Sequence, residues 1–235
     1  MNHIRLHCLR HAPFEDAAGI ALWAREKGHA VSRTLLYDNQ PPPGPDEFDW
    51  LVVMGGPMNI YEHDKHPWLA REKRCIEQAV SKGRTVLGVC LGAQLIADVL
   101  GGPVTRNRCP EIGWFEVETT PEALTTGLFK DFPGRYPAFH WHGDTFALPP
   151  GAVRIAKSEA CDNQGFLYKH NVVGLQFHLE TTEQGMNRLI EHCGHEIVPG
   201  KYVQSAEKMR AHKAHFSEIR SLMVRMLDAL ARTAA

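Results

Sequence analysis

With 235 residues, 43% of them hydrophobic, the chain is long enough to bury a sizeable core in one domain. Its 26 Lys and Arg against 27 Asp and Glu leave a net charge of −1, and no dense basic tract appears, which argues against a nucleic-acid partner. No apolar run reaches membrane-spanning length and no signal-peptide pattern opens the chain, so the expectation is a cytoplasmic protein without a membrane partner.

Residues 3–9 read as a first strand and Phe14 to Lys27 as an amphipathic helix, followed by strands over Val31–Leu36 and Leu51–Met54. Pro41-Pro42-Pro43-Gly44-Pro45 is a stiff extended loop and not a domain linker, because the strand pattern resumes at once. Trp68 to Lys82 is helical in pattern. Val86 to Val89 suits a strand buried on both faces, and Leu91 to Leu100 suits a helix stopped by Gly101-Gly102-Pro103. Shorter β segments follow, including Trp114–Glu118 and Val153–Ser158, and then an apolar strand from Val172 to Glu180.

Strands alternating with helices predict an α/β three-layer sandwich: a mainly parallel central sheet flanked by helices, with the active site at the carboxyl ends of the strands. The whole chain, 1–235, is expected to form one such domain, with 183–235 a C-terminal helical extension packed on it. Glu183–His195 and Ser205–Arg232 are helical in pattern, separated by the breaker Pro199-Gly200. Phe216, Ile219, Leu222, Met223, Met226, Leu227 and Leu230 fall at spacings of three and four, a stripe expected to pack on the chain's own core and not on a partner helix. The basic face of Lys208, Arg210 and Lys213 reads as solvated.

The junction at Gly88-Val89-Cys90-Leu91-Gly92 is a cysteine version of the nucleophile elbow. Glycines on both sides permit a sharp, strained turn and leave room for a substrate beside the sulfur. A helix N-terminus favours the thiolate, which is the nucleophile. A lone cysteine is more often a small buried side chain, but the strand-to-helix setting favours a reactive one. The other five cysteines (Cys8, Cys75, Cys109, Cys161 and Cys193) show no CxxC spacing and read as reduced thiols.

A nucleophilic thiol needs a base. Of the 14 histidines, His178 stands out because Gln176-Phe177-His178-Leu179-Glu180 closes an apolar strand, where residues two apart share a face. The imidazole would take the thiol proton, and Glu180 would fix its tautomer and stabilise the imidazolium. Cys90, His178 and Glu180 are therefore the expected catalytic triad.

Gly88-Val89-Cys90-Leu91-Gly92-Ala93-Gln94 together with Gln176-Phe177-His178-Leu179-Glu180 resembles the class I (triad) glutamine amidotransferases, over about residues 45 to 182. The resemblance implies the flavodoxin-like fold of that family and hydrolysis of the glutamine side-chain amide through a γ-glutamyl thioester. Leu51-Val52-Val53-Met54-Gly55-Gly56-Pro57 matches the strand and turn that supply an oxyanion-hole donor, so the backbone N–H groups of Gly56 and Leu91 would hold the tetrahedral intermediate. One well-placed donor of this kind is worth about 2.7–4 kcal/mol. Glu111-Ile112-Gly113-Trp114 and His142-Gly143-Asp144 resemble stretches lining the glutamine pocket, and Gln94 matches a substrate-contacting glutamine. Gln94, Gly113, His142, Gly143 and Asp144 are thus the implied substrate-binding residues. Taken alone, His142-Gly143-Asp144 is equally a loop turn.

His140 beside His142 suggests a metal pair, but no cysteine or carboxylate cluster of ligand spacing accompanies it, so neither metal nor cofactor is expected. His178-Leu179-Glu180 departs from the family's usual His-Pro-Glu; leucine keeps the spacing and loses the fixed dihedral of proline. The variant suits stand-alone members that resemble the glutaminase half of GMP synthetase.

Family members pass ammonia to a synthase domain. This chain ends soon after the triad and has no ATP-binding glycine loop. That leaves either an acceptor synthase in a separate subunit or direct hydrolysis, the latter resembling stand-alone γ-glutamyl peptidases. The expected substrate is glutamine or another small γ-glutamyl compound. A catalytically silent binding protein of the same fold is the third alternative, although such a protein has no chemical need for an intact Cys-His-Glu set. Met58-Asn59-Ile60-Tyr61-Glu62 follows the oxyanion glycines, where a lid or pocket wall would lie.

Overall fold

The computed structural model describes residues 3–233; residues 1, 2, 234 and 235, the outer ends of the expected spans 1–235 and 183–235, lie outside them. Nine strands, β1 (Arg5–Arg10), β2 (Ala30–Leu35), β3 (Trp50–Val53), β4 (Thr85–Val89), β5 (Val104–Thr119), β6 (Arg135–Phe146), β7 (Ala152–Lys157), β8 (Gly165–Tyr168) and β9 (Val172–Leu175), form one sheet among the described residues. Their order is β2-β1-β3-β4-β9-β8-β7-β5-β6. The half from β2 to β9 is parallel, and the strands beyond it pair antiparallel.

Every residue of β3 and β4 is buried, as a parallel strand covered on both faces requires. β3 sends Trp50 and Val52 into one hydrophobic cluster and Leu51 and Val53 into another, so the two-residue period divides the core cleanly. Helices α1 (Ala18–Glu26) and α7 (His215–Thr233) fill the first cluster with Ile20, Trp23, Leu222 and Met226. Helices α2 (Trp68–Ser81) and α3 (Leu91–Val99) fill the second with Leu69, Ile76, Leu95 and Ile96. The short α4 (Pro121–Leu124), α5 (Glu183–Cys193) and α6 (Ala206–Ala211) complete the set. No helix among the described residues is long and apolar enough to cross a membrane.

Four elements depart from expectation. The first helix starts at Ala18 and not Phe14, because Asp16 accepts from the Ala18 N–H at 2.9 Å and Arg10 Nε donates to the Glu15 carbonyl at 2.8 Å, holding residues 11–16 as a loop. β5 spans sixteen residues, although its polar, bulged stretch between Arg106 and Glu111 hides the strand period. The strand expected from Val172 to Glu180 ends at Leu175; beyond it only one bridge, His178 to Phe139, continues the pairing. The last helix is two. α6 ends at Ala211, where the Met209 carbonyl receives the His212 N–H and, at 3.1 Å, the Trp114 indole N–H. The apolar stripe on α7 is buried as expected, with Ile219, Met223, Leu227 and Leu230 against the sheet and α1.

Candidate active site

Adjacent parallel strands β1, β3, β4 and β9 end side by side, and the segments leaving them carry His11, Gly55-Gly56, Cys90 and His178. Cys90 occupies φ 52°, ψ −110°, a region a non-glycine residue enters only under constraint. Its N–H donates to Leu175 O at 2.7 Å, and its own carbonyl receives the Gln94 N–H at 3.1 Å, so strand and helix clamp the turn.

The flanking glycines serve a different purpose from the conformational freedom expected of them, since the positive φ falls on the cysteine itself. A Cβ at Gly88 would stand 2.5 Å from Gly92 O, and one at Gly92 would overlap the Val53 carbonyl. They are close-approach glycines, letting α3 sit directly against β3 and β4.

His178 Nδ1–H donates to Glu180 Oε1 at 2.7 Å, and both side chains are buried. The pairing arises in the irregular segment after β9, held by the His178 N–H donating to Phe139 O at 2.8 Å, and not within a regular strand. Burial alone lowers the His178 pKa, but the Glu180 charge and hydrogen bonds to Cys90 and Glu180 outweigh it and raise the ring well above its ordinary value. Cys90 itself is 8% exposed, its thiol donating to Trp141 O at 3.5 Å.

An open cleft of about 770 Å3 reaches this point. Gly56, Gln94, His142, Gly143, Asp144 and His178 line it; Cys90, Leu91, Glu180 and Gly113 are not among its lining residues. Gly113 differs most from its expected place: at φ +117° it packs on Gln204, whose amide holds the Trp114 N–H at 3.0 Å and donates to the Trp114 carbonyl at 2.7 Å. Asn59 Nδ2 donates to Asp144 Oδ2 at 2.8 Å, joining the Met58–Glu62 segment to the opposite wall. Gln94 donates to Gln176 Oε1 at 3.1 Å, which fixes the direction of its amide. The C-terminal segment closes one side: Leu189, Cys193, Glu196 and Val198 line the cleft, and Trp141 Nε1 donates to Glu196 Oε2 at 3.0 Å.

His142 supports the wall with both ring nitrogens, Nδ1 at 3.0 Å from Asp144 O and Nε2 at 3.2 Å from Glu111 Oε2. Contrary to the expectation from spacing, a carboxylate does accompany the His140–His142 pair. The antiparallel register of β5 and β6 brings Glu111 onto the two histidines, a grouping invisible in their own separation. At the centre of the three sits the Gln164 amide nitrogen, 2.6 Å from Glu111 Oε2 and 3.5 Å from His140 Nδ1 and His142 Nε2. Burial pushes the His140 ring down to about 4, so it stays neutral against that amide.

Two features at the end of β1 escape sequence reasoning. Glu15 lines the cleft beside His178; burial pushes its carboxyl up, against the His178 and His11 charges that lower it. His11 pairs with Glu72 beneath the Gly55-Gly56 turn. The available signal was position, since His11-Ala12-Pro13-Phe14-Glu15 follows a strand of the parallel half.

Residues 31–217 match the family model of class I glutamine amidotransferases. The chain is 33% identical to the glutamine amidotransferase-like protein YfeJ of Salmonella typhimurium, with 97% of each chain covered. It is 30% identical to a glutamine-hydrolysing GMP synthase subunit from Sulfurisphaera tokodaii, over 69% of this chain and 86% of that one. A glutamine amidotransferase structure from Thermotoga maritima superposes with a TM-score of 0.88 at 34% identity, covering 98% of this chain and 99% of that one.

Proposed function

This chain belongs to the class I glutamine amidotransferase family, and from that premise we propose that it hydrolyses a γ-glutamyl amide with Cys90, His178 and Glu180 as its triad. The observation that carries the reading is the buried 2.7 Å His178–Glu180 pair facing a cysteine held at positive φ on a strand-to-helix turn. His178 takes the thiol proton as the Cys90 sulfur attacks the γ-carbonyl. The N–H groups of Gly56 and Leu91 receive the oxyanion, a placement worth about 2.7–4 kcal/mol per donor. As the tetrahedral intermediate collapses, the C–N bond breaks and His178 gives its proton to the departing amine, leaving a γ-glutamyl thioester. Water then gives a proton to His178 and attacks the thioester; the C–S bond breaks, glutamate leaves, and the proton returns to sulfur.

Gln94, Gly143 and Asp144 are the wall residues available to the substrate, while His142 acts by holding Asp144. The whole chain works as one unit in this reading, with the helices after residue 183 supplying part of the cleft. Likeness to a protein named as one subunit of a GMP synthase supports an ammonia acceptor carried on a separate synthase chain. A cleft of about 770 Å3 favours a second reading, a γ-glutamyl peptidase, because that volume admits a leaving group larger than ammonia.

Glutamate release tests both. The purified chain is given L-glutamine and γ-glutamyl peptides, with Cys90→Ser as the blank. Release from glutamine supports the amidohydrolase, and release from peptides alone supports the peptidase. Release from none, or release that persists in Cys90→Ser, overturns the triad.

A further inference from the structure

Beneath the Gly55-Gly56 turn lies a histidine–carboxylate pair that the triad chemistry does not use. His11 leaves the carboxyl end of β1 and Glu72 projects from α2, and both side chains are 0% exposed. His11 Nε2 stands 2.7 Å from Glu72 Oε1, and Nδ1 stands 2.9 Å from the carbonyl oxygen of Gly55. A carbonyl and an ionised carboxylate can only accept, so both ring nitrogens donate and the ring carries a positive charge. The balance of forces agrees: burial lowers the His11 pKa, but the Glu72 charge and the two hydrogen bonds outweigh it and raise the ring above its ordinary value.

Gly55 and Gly56 are joined by a trans peptide, since the described chain contains no cis bonds. In a trans peptide the C=O and N–H point to opposite sides. With the Gly55 oxygen drawn to His11, the Gly56 N–H is turned away from the buried pair. Two glycines in succession impose little torsional preference of their own, so something outside the turn must fix this peptide plane. The turn is seated directly on the histidine: a Cβ on Gly56 would stand 2.7 Å from His11 Cβ. A charged donor on the carbonyl also polarises the peptide and strengthens its N–H as a donor.

We propose that His11, braced by Glu72, is a positioning residue that locks the Gly55–Gly56 peptide with its N–H directed at the oxyanion. The inference rests on the reading of Gly56 as an oxyanion donor. It makes Glu72, which is not among the residues lining the cleft, part of the support for turnover through two hydrogen bonds.

The test compares two reactions of the same sulfur. Turnover of γ-glutamyl p-nitroanilide builds an oxyanion; alkylation of Cys90 by iodoacetamide, at a saturated carbon, does not. His11→Gln is expected to lower kcat about 10- to 100-fold with KM within about twofold. Glu72→Gln is expected to lower it about 3- to 10-fold, because a glutamine amide can donate to Nε2 and leave the Nδ1–H on Gly55, with the charge lost. Alkylation should stay within about twofold of wild type in both variants, which also shows that the site is folded. Full turnover in both variants, or turnover and alkylation falling together, overturns the clamp alone. A wild-type protein without Cys90-dependent p-nitroaniline release overturns the oxyanion reading itself, and the clamp with it.

Discussion

Two histidine–carboxylate pairs, His178–Glu180 and His11–Glu72, share a separation of 2.7 Å, near-complete burial and a seat at the carboxyl end of the parallel strands. They differ at the other ring nitrogen. In His178 it faces a thiol, which can lose or regain a proton. In His11 it faces a backbone carbonyl, which can do neither. The two pairs are alike in geometry, and the third partner is what distinguishes them. The origins differ too: one pair comes from residues two apart, the other from residues 61 apart.

The sharpest way to break the comparison is to remove each ring. His178→Ala is expected to lower turnover about 10⁴- to 10⁶-fold with substrate affinity largely kept, as triad members acting as a unit do. That loss exceeds the one expected for His11→Gln, and equal losses in steady-state kinetics would erase the distinction. Changing the carboxylates sharpens it further. Glu180→Gln, which keeps shape and removes charge, should cost about 10²- to 10⁴-fold in kcat because the imidazolium loses its stabilising partner. Glu72→Ala should show itself first as instability, about 3–5 kcal/mol by denaturant unfolding, since it strands a buried positive ring.

The smallest effect concerns a third buried ring. His140, pushed down to about 4, stays neutral in the fold while the unfolded chain takes up a proton near 6.5, so its burial stabilises above that value and the stability is lost as pH falls toward 4. The raised His11 and His178 act in the opposite sense and a different window: their contribution is complete below about 6.5 and disappears as pH rises through their folded values. Unfolding free energies measured between pH 4 and 6.5 should therefore separate wild type from His140→Gln by at most about 3 kcal/mol, the variant being the less acid-sensitive.

What could be read from the sequence was whatever the chain encodes locally. The elbow is contained in Gly88–Gly92, the adjacency of His178 and Glu180 needs only a two-residue spacing, and β3 and β4 are apolar runs with no competing period. What could not be read depends on register between distant segments. Glu111 meets His142 only because β5 and β6 pair as they do, and Gln164 enters from a third strand region. His11 and Glu72 meet only once α2 is laid across the end of β1. The break between α6 and α7 carries no glycine or proline to announce it; a tryptophan from β5 bonds the last turn of α6 from outside. In Gly88 and Gly92 the motif was evident and its physical cause was not, because a motif records which residue is tolerated and only the packing says against what.

The segment after α5 bonds to the sheet through Ile112, whose N–H donates to Tyr202 O at 2.9 Å and whose carbonyl receives the Gln204 N–H at 2.8 Å. A chain cut at Glu183 would retain Cys90, His178 and Glu180 and lose Leu189, Cys193, Glu196 and Val198 from the cleft. Cys90, His178 and Glu180 and this part of the cleft wall therefore come from separate lengths of polypeptide. Changes confined to residues 189–198 would alter that wall while leaving the segments that carry the sulfur, the imidazole and the carboxylate as they are.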